Sequence, residues 1–116
     1  DCGKTFESEG YNGVSGVPRC GCGSALKPGV VFFGEPLLQG IFNQAMDEAL
    51  KTHFMILAGT SGVVYPAAQI PYCAKRTGGM IIEVNREETP LTKSITDVFL
   101  QGEVQEILPE LLKRLI

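Results

Sequence analysis

The sequence has no surplus of basic charge. Its 116 residues include 10 Lys and Arg against 13 Asp and Glu, for a formal net charge of −3 and a pI of about 5.1. Nucleic acid is gripped by a clustered basic face, so that class of partner is unsupported. Long apolar runs are missing too. The longest, residues 29–33 and 54–58, fall far short of the roughly 20 residues a membrane helix needs, so no membrane partner is expected. No basic stretch followed by an apolar core opens the chain, which leaves a secretory signal unsupported. There is no internal repeat and no low-complexity tract. Histidine occurs once, and neither a Ser/His/Asp set nor a pair of catalytic carboxylates emerges.

What is present suits a folded globular chain of one domain's size, with 44% hydrophobic and 20% charged residues. Glycine is abundant, at 14 residues, which calls for tight turns or close backbone approach. The four cysteines are placed unevenly: Cys2, Cys20 and Cys22 near the start, Cys73 far away in a segment that reads as helical. Cys20 and Cys22 flank a single glycine, too tight for a comfortable disulfide and natural for two ligands of one metal. Cys73 reads as a small buried hydrophobe. The rest of the chain has no disulfide framework, so reduced thiols and a cytoplasmic (or nuclear) location are expected.

Composition divides the chain near residue 28. Residues 1–28 hold six glycines, three cysteines and few large apolar side chains, too little to fold without a metal or a host domain. Beyond it, β-rich runs alternate with helical patterns. Val30–Phe33 reads as a strand closed by Gly34-Glu35-Pro36. Residues 39–52 carry apolar side chains at helical spacing. Phe54–Ala58 reads as a strand of a parallel sheet covered on both faces. A second helix is expected over 66–76, kinked or broken at Pro71, then strands over 80–84 and 97–100. A last helix covers about 103–115, with Pro109 tolerable if the helix really begins near Ile107. This order argues for an α/β fold with a doubly wound parallel sheet.

The strongest local chemistry lies where the strand 54–58 runs into Gly59-Thr60-Ser61-Gly62. A small-residue turn there exposes backbone N–H groups and hydroxyls at the carboxyl edge of the sheet, where nucleotides bind. Asn85-Arg86-Glu87 ends the next strand at the same edge, and Asn85 suits ribose hydroxyls. The cysteine-rich leader reads as part of a zinc ribbon, with Cys20-Gly21-Cys22 as a later knuckle and Cys2 in an earlier one. Free cysteines without metal are the alternative. His53 reads as a capping or packing residue, Glu35 as a loop anchor or a ligand contact, and Glu87-Glu88 as a solvated pair.

Taken together, Cys20-Gly21-Cys22-Gly23, Leu26-Lys27-Pro28, Val30 to Glu35, Gly59-Thr60-Ser61 with Val64 and Pro66-Ala67-Ala68, and Ile82 to Asn85 resemble the sirtuin family. The stretch Asp97 to Pro109, with Gly102 ahead of the closing helix, fits as well. The resemblance implies a partial zinc-binding module at 1–28 and the C-terminal half of a Rossmann-like NAD-binding domain at 29–116. It implies NAD-dependent deacylation of protein lysines, giving nicotinamide, free lysine and O-acyl-ADP-ribose. Carried over by position, Gly59, Thr60 and Ser61 match the loop around the NAD ribose and phosphates. Asn85, Arg86 and Glu87 match the segment at the adenosine ribose, and Val104 the contact to adenine. Phe33, Gly34, Glu35 and Val64 match the walls of the acyl-lysine peptide cleft, and the peptide is expected to pair beside Val31 to Glu35. Cys2, Cys20 and Cys22 match structural zinc ligands.

The sequence departs from the family pattern in several places. The glycine-rich NAD loop and the catalytic histidine belong to a part upstream of the zinc module, and His53 does not match that histidine. The chain is therefore expected to be the C-terminal half of a longer polypeptide, inactive alone, partnered by that missing half and by an acylated-lysine substrate, and exposing an apolar sheet edge. Gly62 stands where a larger apolar residue is usual, Leu38 where proline is usual, and one residue rather than two separates Cys20 from Cys22. Two other readings predict different behaviour. A nucleotide-binding half-sheet like the middle domain of thiamine-dependent enzymes would lack the cysteine knuckle, and a zinc-ribbon interaction module would bind metal without NAD.

Overall fold

The computed structural model describes residues 2–7, 9 and 15–115. Of the glycine-rich leader, therefore, Asp1, Ser8 and residues 10–14 lie outside the described residues, as does the terminal Ile116. The chain forms two compact units, Asp1–Glu35 and Pro36–Ile116.

In the second unit, three apolar runs pair as parallel strands in the order β1 (Phe54–Ala58), β2 (Met80–Asn85), β3 (Val98–Gln101). Parallel neighbours need a crossover, and each is made by the intervening chain. Helix α1 (Gln39–Lys51) precedes β1. A 3-10 turn, Ala67–Gln69, leads into α2 (Ile70–Arg76), and α3 (Val104–Leu115) closes the chain. The break expected near Pro71 is present: Pro71 falls in the first turn of α2, where its missing N–H costs nothing. The fold is α/β, half of a doubly wound parallel sheet.

Side chains alternate across a strand, so the register decides what each face buries. Met55 lies beside Ile81 and Leu57 beside Glu83 on one face. On that face Leu57 and Ile81 pack with Ala49 of α1, Cys73 and Ala74 of α2, and Leu91 and Ile95 from the segment after β2. Burying a side chain such as Ile81 fully is worth about 1.5–3 kcal/mol. On the other face Phe54, Ile56, Met80 and Val98 are exposed, while Val84 is fully buried. Cover on both faces was expected for β1; within this chain only one is covered, with Phe54 64% and Ile56 50% exposed on the outermost strand.

Two further expectations are corrected. Residues 30–33 are not a strand: the backbone folds back, with Glu35 N–H donating to the Phe32 carbonyl at 3.0 Å and the Glu35 carboxylate accepting from Phe32 N–H. An extended run needs a ladder partner, and among the described residues of this unit the backbone pairing is a single bridge, Arg19 with Ala25. Helix α3 begins at Val104, not near Ile107, so Pro109 sits inside it. The Gln105 carbonyl that Pro109 cannot serve lies on the exposed side of the helix, where water is the substitute.

Asp97 joins the segment after β2 to the sheet. Its N–H donates to the Ile81 carbonyl at 2.9 Å, its carboxylate accepts from Ile81 N–H at 2.8 Å, and Lys75 of α2 pairs with it. Lys75 first, then the Ile81 N–H, hold the carboxyl below its ordinary value of 3.8. A carboxyl whose value is depressed by folding adds stability that is complete above the unfolded value and fades as pH falls through the folded one. Asp97→Asn should therefore lower the urea midpoint at pH 7, and the gap from the parent should close as the pH drops below about 3.8. A gap that stays constant down to pH 2 would show that the carboxylate charge is not what matters.

Candidate functional site

Parallel strands all deliver their carboxyl ends to one edge, and here three loops meet there. The β1–β2 ladder continues one step past Ala58, with Gly59 N–H donating to the Val84 carbonyl at 3.0 Å. The chain then turns through Gly59 and Gly62, at φ +60° and +63°, a left-handed conformation that glycine adopts without strain. Thr60 closes the turn, its Oγ1 accepting from Gly62 N–H at 3.2 Å. From β2, Asn85 Nδ2 donates to the Thr60 carbonyl at 2.8 Å, while Asn85 Oδ1 accepts from Arg86 N–H at 3.0 Å. From β3, Gly102 N–H donates to the Asn85 carbonyl at 2.9 Å, and Gln101 Nε2 to the Arg86 carbonyl at 3.1 Å. Val104 comes within 3.5 Å of where a Cβ on Gly59 would lie.

The structure thus gathers Gly59, Thr60, Asn85, Arg86 and Val104 at one rim. Ser61 and Glu87 lie beside them, exposed to solvent. Arg86 and Glu103 form an exposed ion pair at 3.8 Å. Beside the turn, a hollow of about 380 Å³ is lined by Thr60, Gly62, Val64, Ile70 and Leu91 among others. The donors, hydroxyls and close backbone at this rim suit a phosphate-linked dinucleotide: the exposed Thr60 and Ser61 have no bulk between them and solvent, and Gly59 leaves no side chain above the backbone.

In the first unit the cysteines converge. The Sγ atoms of Cys2, Cys20 and Cys22 all lie within 4.8 Å of one another, with Cys2 and Cys20 at 3.5 Å. A tetrahedral zinc with Zn–S of about 2.3 Å holds its sulfurs about 3.8 Å apart, so three thiolates fit one ion. The knuckle is built by a tight turn: Cys20 N–H donates to the Ser24 carbonyl at 2.9 Å, Gly23 N–H to the Cys20 carbonyl at 2.8 Å, and Arg19 Nη1 to the Gly23 carbonyl at 2.8 Å. The Ser24 backbone N–H, its hydroxyl and the neighbouring thiols bring the Cys22 thiol down to about 6. At Cys20 the backbone N–H of Cys22 pulls the value down, but contacts with the Cys2 and Cys22 thiols, with desolvation, outweigh it and raise it. Cys73 is buried in the second unit against Met46, as expected of a core thiol.

Phe33, Gly34 and Glu35 also belong to the first unit. Lys27 pairs with Glu35 and stands 5.2 Å over the Phe32 ring. Lys27 first, then Phe32 N–H, keep the Glu35 carboxyl below its ordinary value. Phe33 is 92% exposed, an aromatic ring left in solvent by the turn. Val64, in the second unit, is exposed beside the hollow. His53 is exposed at the start of β1, its carbonyl accepting from Met80 N–H.

Comparison with known proteins decides the family. The Sir2 family model matches residues 1–66, more than half of the chain. The chain belongs to the Sir2, or sirtuin, family. NAD-dependent protein deacylase 1 of Archaeoglobus fulgidus is 45% identical over 113 residues, covering 97% of this chain and 46% of the relative. The NAD-dependent protein deacylase of Thermococcus kodakarensis is 48% identical over 99 residues, covering 84% and 38%. A crystal structure of a Sir2 homolog–NAD complex superposes with a TM-score of 0.89 at 45% identity, over 97% of this chain and 44% of that one. A Sir2–p53 peptide–NAD+ structure superposes with a TM-score of 0.77 at 36% identity, over 84% and 41%. This sirtuin chain spans under half the length of the curated relatives it matches.

Sequence reasoning did not single out Leu91. A Cβ on Gly62 would lie 2.2 Å from Leu91 Cδ1, so this sirtuin has no room for the larger residue usual at that position unless Leu91 moves. Gly62→Ala should destabilise the chain by about 2–4 kcal/mol, from left-handed backbone strain plus displacement of Leu91. Gly40→Ala, in α1 with open space around it, should be neutral or slightly stabilising. Urea unfolding of the two variants checks the contrast, and equal effects would discount the Leu91 contact.

Proposed function

We propose that this chain supplies one rim of the dinucleotide site and the structural zinc module of an NAD-dependent protein deacylase. The observation that carries the reading is the 2.8 Å bond from Asn85 to the Thr60 carbonyl, which joins the two strand ends that the sirtuin pattern assigns to NAD. NAD, when bound, supplies an activated ribose carbon and nicotinamide as leaving group. The chain's own residues bind and orient. Thr60 and Ser61 offer N–H and hydroxyl donors toward the ribose and phosphates, and Gly59, whose N–H is held by the Val84 carbonyl, lets the backbone come close to them. Asn85, Arg86 and Glu87 face the adenosine ribose, and Val104 contacts adenine. Asn85 keeps one Nδ2 proton and one Oδ1 lone pair for a ligand beyond its two internal bonds. Phe33, Gly34, Glu35 and Val64 are assigned to the acylated-lysine peptide by family position. A related structure bound to a propionylated peptide supports that substrate class.

Cys2, Cys20 and Cys22 would hold zinc, which ties the leader together where apolar burial is scant. The lowered Cys22 thiol favours binding, because fewer protons must leave on metal uptake at pH 7. No residue here occupies the position of the family's catalytic histidine, so the 116-residue chain by itself should bind without turnover. Membership of the Sir2 family sets aside the thiamine-enzyme type of half-sheet.

ADP-ribose added to the chain should shift the amide resonances of Gly59, Thr60, Ser61 and Arg86, and Asn85→Ala should weaken that binding at least tenfold. A folded chain whose rim resonances stay unmoved at millimolar ADP-ribose would end the assignment.

Cobalt titrated into the reduced chain should give a thiolate-to-metal absorption band at one ion per chain. The band should be lost or weakened at least tenfold in affinity by Cys22→Ser and kept by Cys73→Ala. Retention in Cys22→Ser would remove that residue from the ligand set.

A further inference from the structure

Among the described residues, Glu83 is the one buried charged side chain, 1% exposed in the middle of β2. Nothing in the proposed chemistry uses it. Its carboxyl oxygens accept three hydroxyl hydrogen bonds: from Thr89 at 2.6 Å, Thr92 at 2.7 Å and Thr96 at 2.8 Å. All three donors come from the single stretch that follows β2. The stretch is closed on itself as well. Thr89 N–H donates to Thr92 Oγ1 at 2.8 Å, Leu91 N–H to Thr89 Oγ1 at 3.1 Å, and the N–H groups of Ile95 and Thr96 to the Leu91 carbonyl at 2.9 and 3.1 Å.

Leu91 is held at the centre of this cage, 1% exposed, with its side chain directly under Gly62. Two lines therefore run from β2 to the turn at 59–62. One goes from Glu83 through the threonines and Leu91 to Gly62. The other goes from Asn85 straight to the Thr60 carbonyl. An apolar side chain at position 83 would fill the same space without desolvating a carboxyl group. A buried carboxyl is compensated only while all its donors stay in place, so it admits one placement of residues 89–96 over the sheet.

We propose that Glu83, with Thr89, Thr92 and Thr96, is the positioning group of the dinucleotide rim: it fixes Leu91 beneath Gly62 and so presets the Gly59–Gly62 turn before ligand arrives. The claim about ligand rests on the reading of that rim as the NAD site. The claim about the turn does not.

The test uses two readouts on the chain: the nuclear Overhauser contact between Leu91 methyls and Gly62 α-protons, and the Kd for ADP-ribose. Thr92→Val, close in shape but without the hydroxyl, should lose the contact and raise Kd at least tenfold. Glu83→Gln, which keeps one carbonyl acceptor, should fall between Thr92→Val and the parent. Ile81→Val, a core variant on the same strand, should leave both readouts within twofold at temperatures where all variants are folded. A Leu91–Gly62 contact that survives Thr92→Val, or that is lost equally in Ile81→Val, would overturn the proposal. Should Glu83→Gln not fold, the Thr92→Val comparison decides alone. If the parent chain shows the contact but binds no ADP-ribose, the NAD reading of the rim fails, and the contact still decides whether Glu83 sets the turn.

Discussion

Parallel pairing of β1 with β2 is the constraint on which the rim proposed for a dinucleotide depends. The register sets Ala58 beside Val84, so the chain leaves both strands at the same level and on the same edge. Gly59 N–H to the Val84 carbonyl extends that ladder by one step, and Asn85 to the Thr60 carbonyl adds a side-chain rung beyond it. A shift of one residue would turn Asn85 to the opposite face and put Met80, Ile82 and Val84 where Ile81 and Glu83 now face the core. The rim is therefore as well determined as the core beneath it, since both follow from one register.

The two units reach stability by different means. In Pro36–Ile116 a cluster of Ala49, Leu57, Cys73, Ala74, Ile81, Leu91 and Ile95 removes apolar surface from water. In Asp1–Glu35 the buried apolar member among the described residues is Cys20, and order comes from local polar closure: the Cys20–Ser24 turn, the Arg19 contact to Gly23, and Lys27 with Glu35. Three converging thiols are the natural complement to so little burial, because a thiolate–metal bond replaces many weak contacts in a segment too short to make them.

Much of this was legible in the sequence. Parallel strands announce themselves as unbroken apolar runs, and the helix over 39–51 by its three-and-four spacing. Gly59-Thr60-Ser61 and Asn85 could be placed at one edge because strand order alone puts them there. What failed shares a cause. Val30–Phe33 has strand composition, but a strand is a paired object, and composition cannot say whether a partner lies alongside; here Lys27 and Glu35 close the segment into a turn instead. The expected cover on both faces of β1 failed for the same reason, since an apolar run reports demand for a neighbour and not its presence. Pro109 was given too much weight, because the penalty of an interior proline depends on whether water can reach the orphaned carbonyl, which is a matter of orientation.

Glu83 shows what pattern reading passes over. A charged residue inside Ile81-Ile82-Glu83-Val84 reads as the polar face of a strand, and half-exposed strands do alternate in that way. The distinguishing signal was available some residues on, in three threonines at 89, 92 and 96, but no periodicity links a strand position to donors on a following loop. Such a network does what apolar contact cannot. Leu91 could slide across Leu57 and Ile81 at small cost, because dispersion is non-directional, whereas three hydroxyls on one carboxyl fix distance and direction together. A rim proposed to meet the phosphates and riboses of a ligand needs that kind of support, and the one charged side chain buried among the described residues lies two residues before the strand end it is proposed to steady.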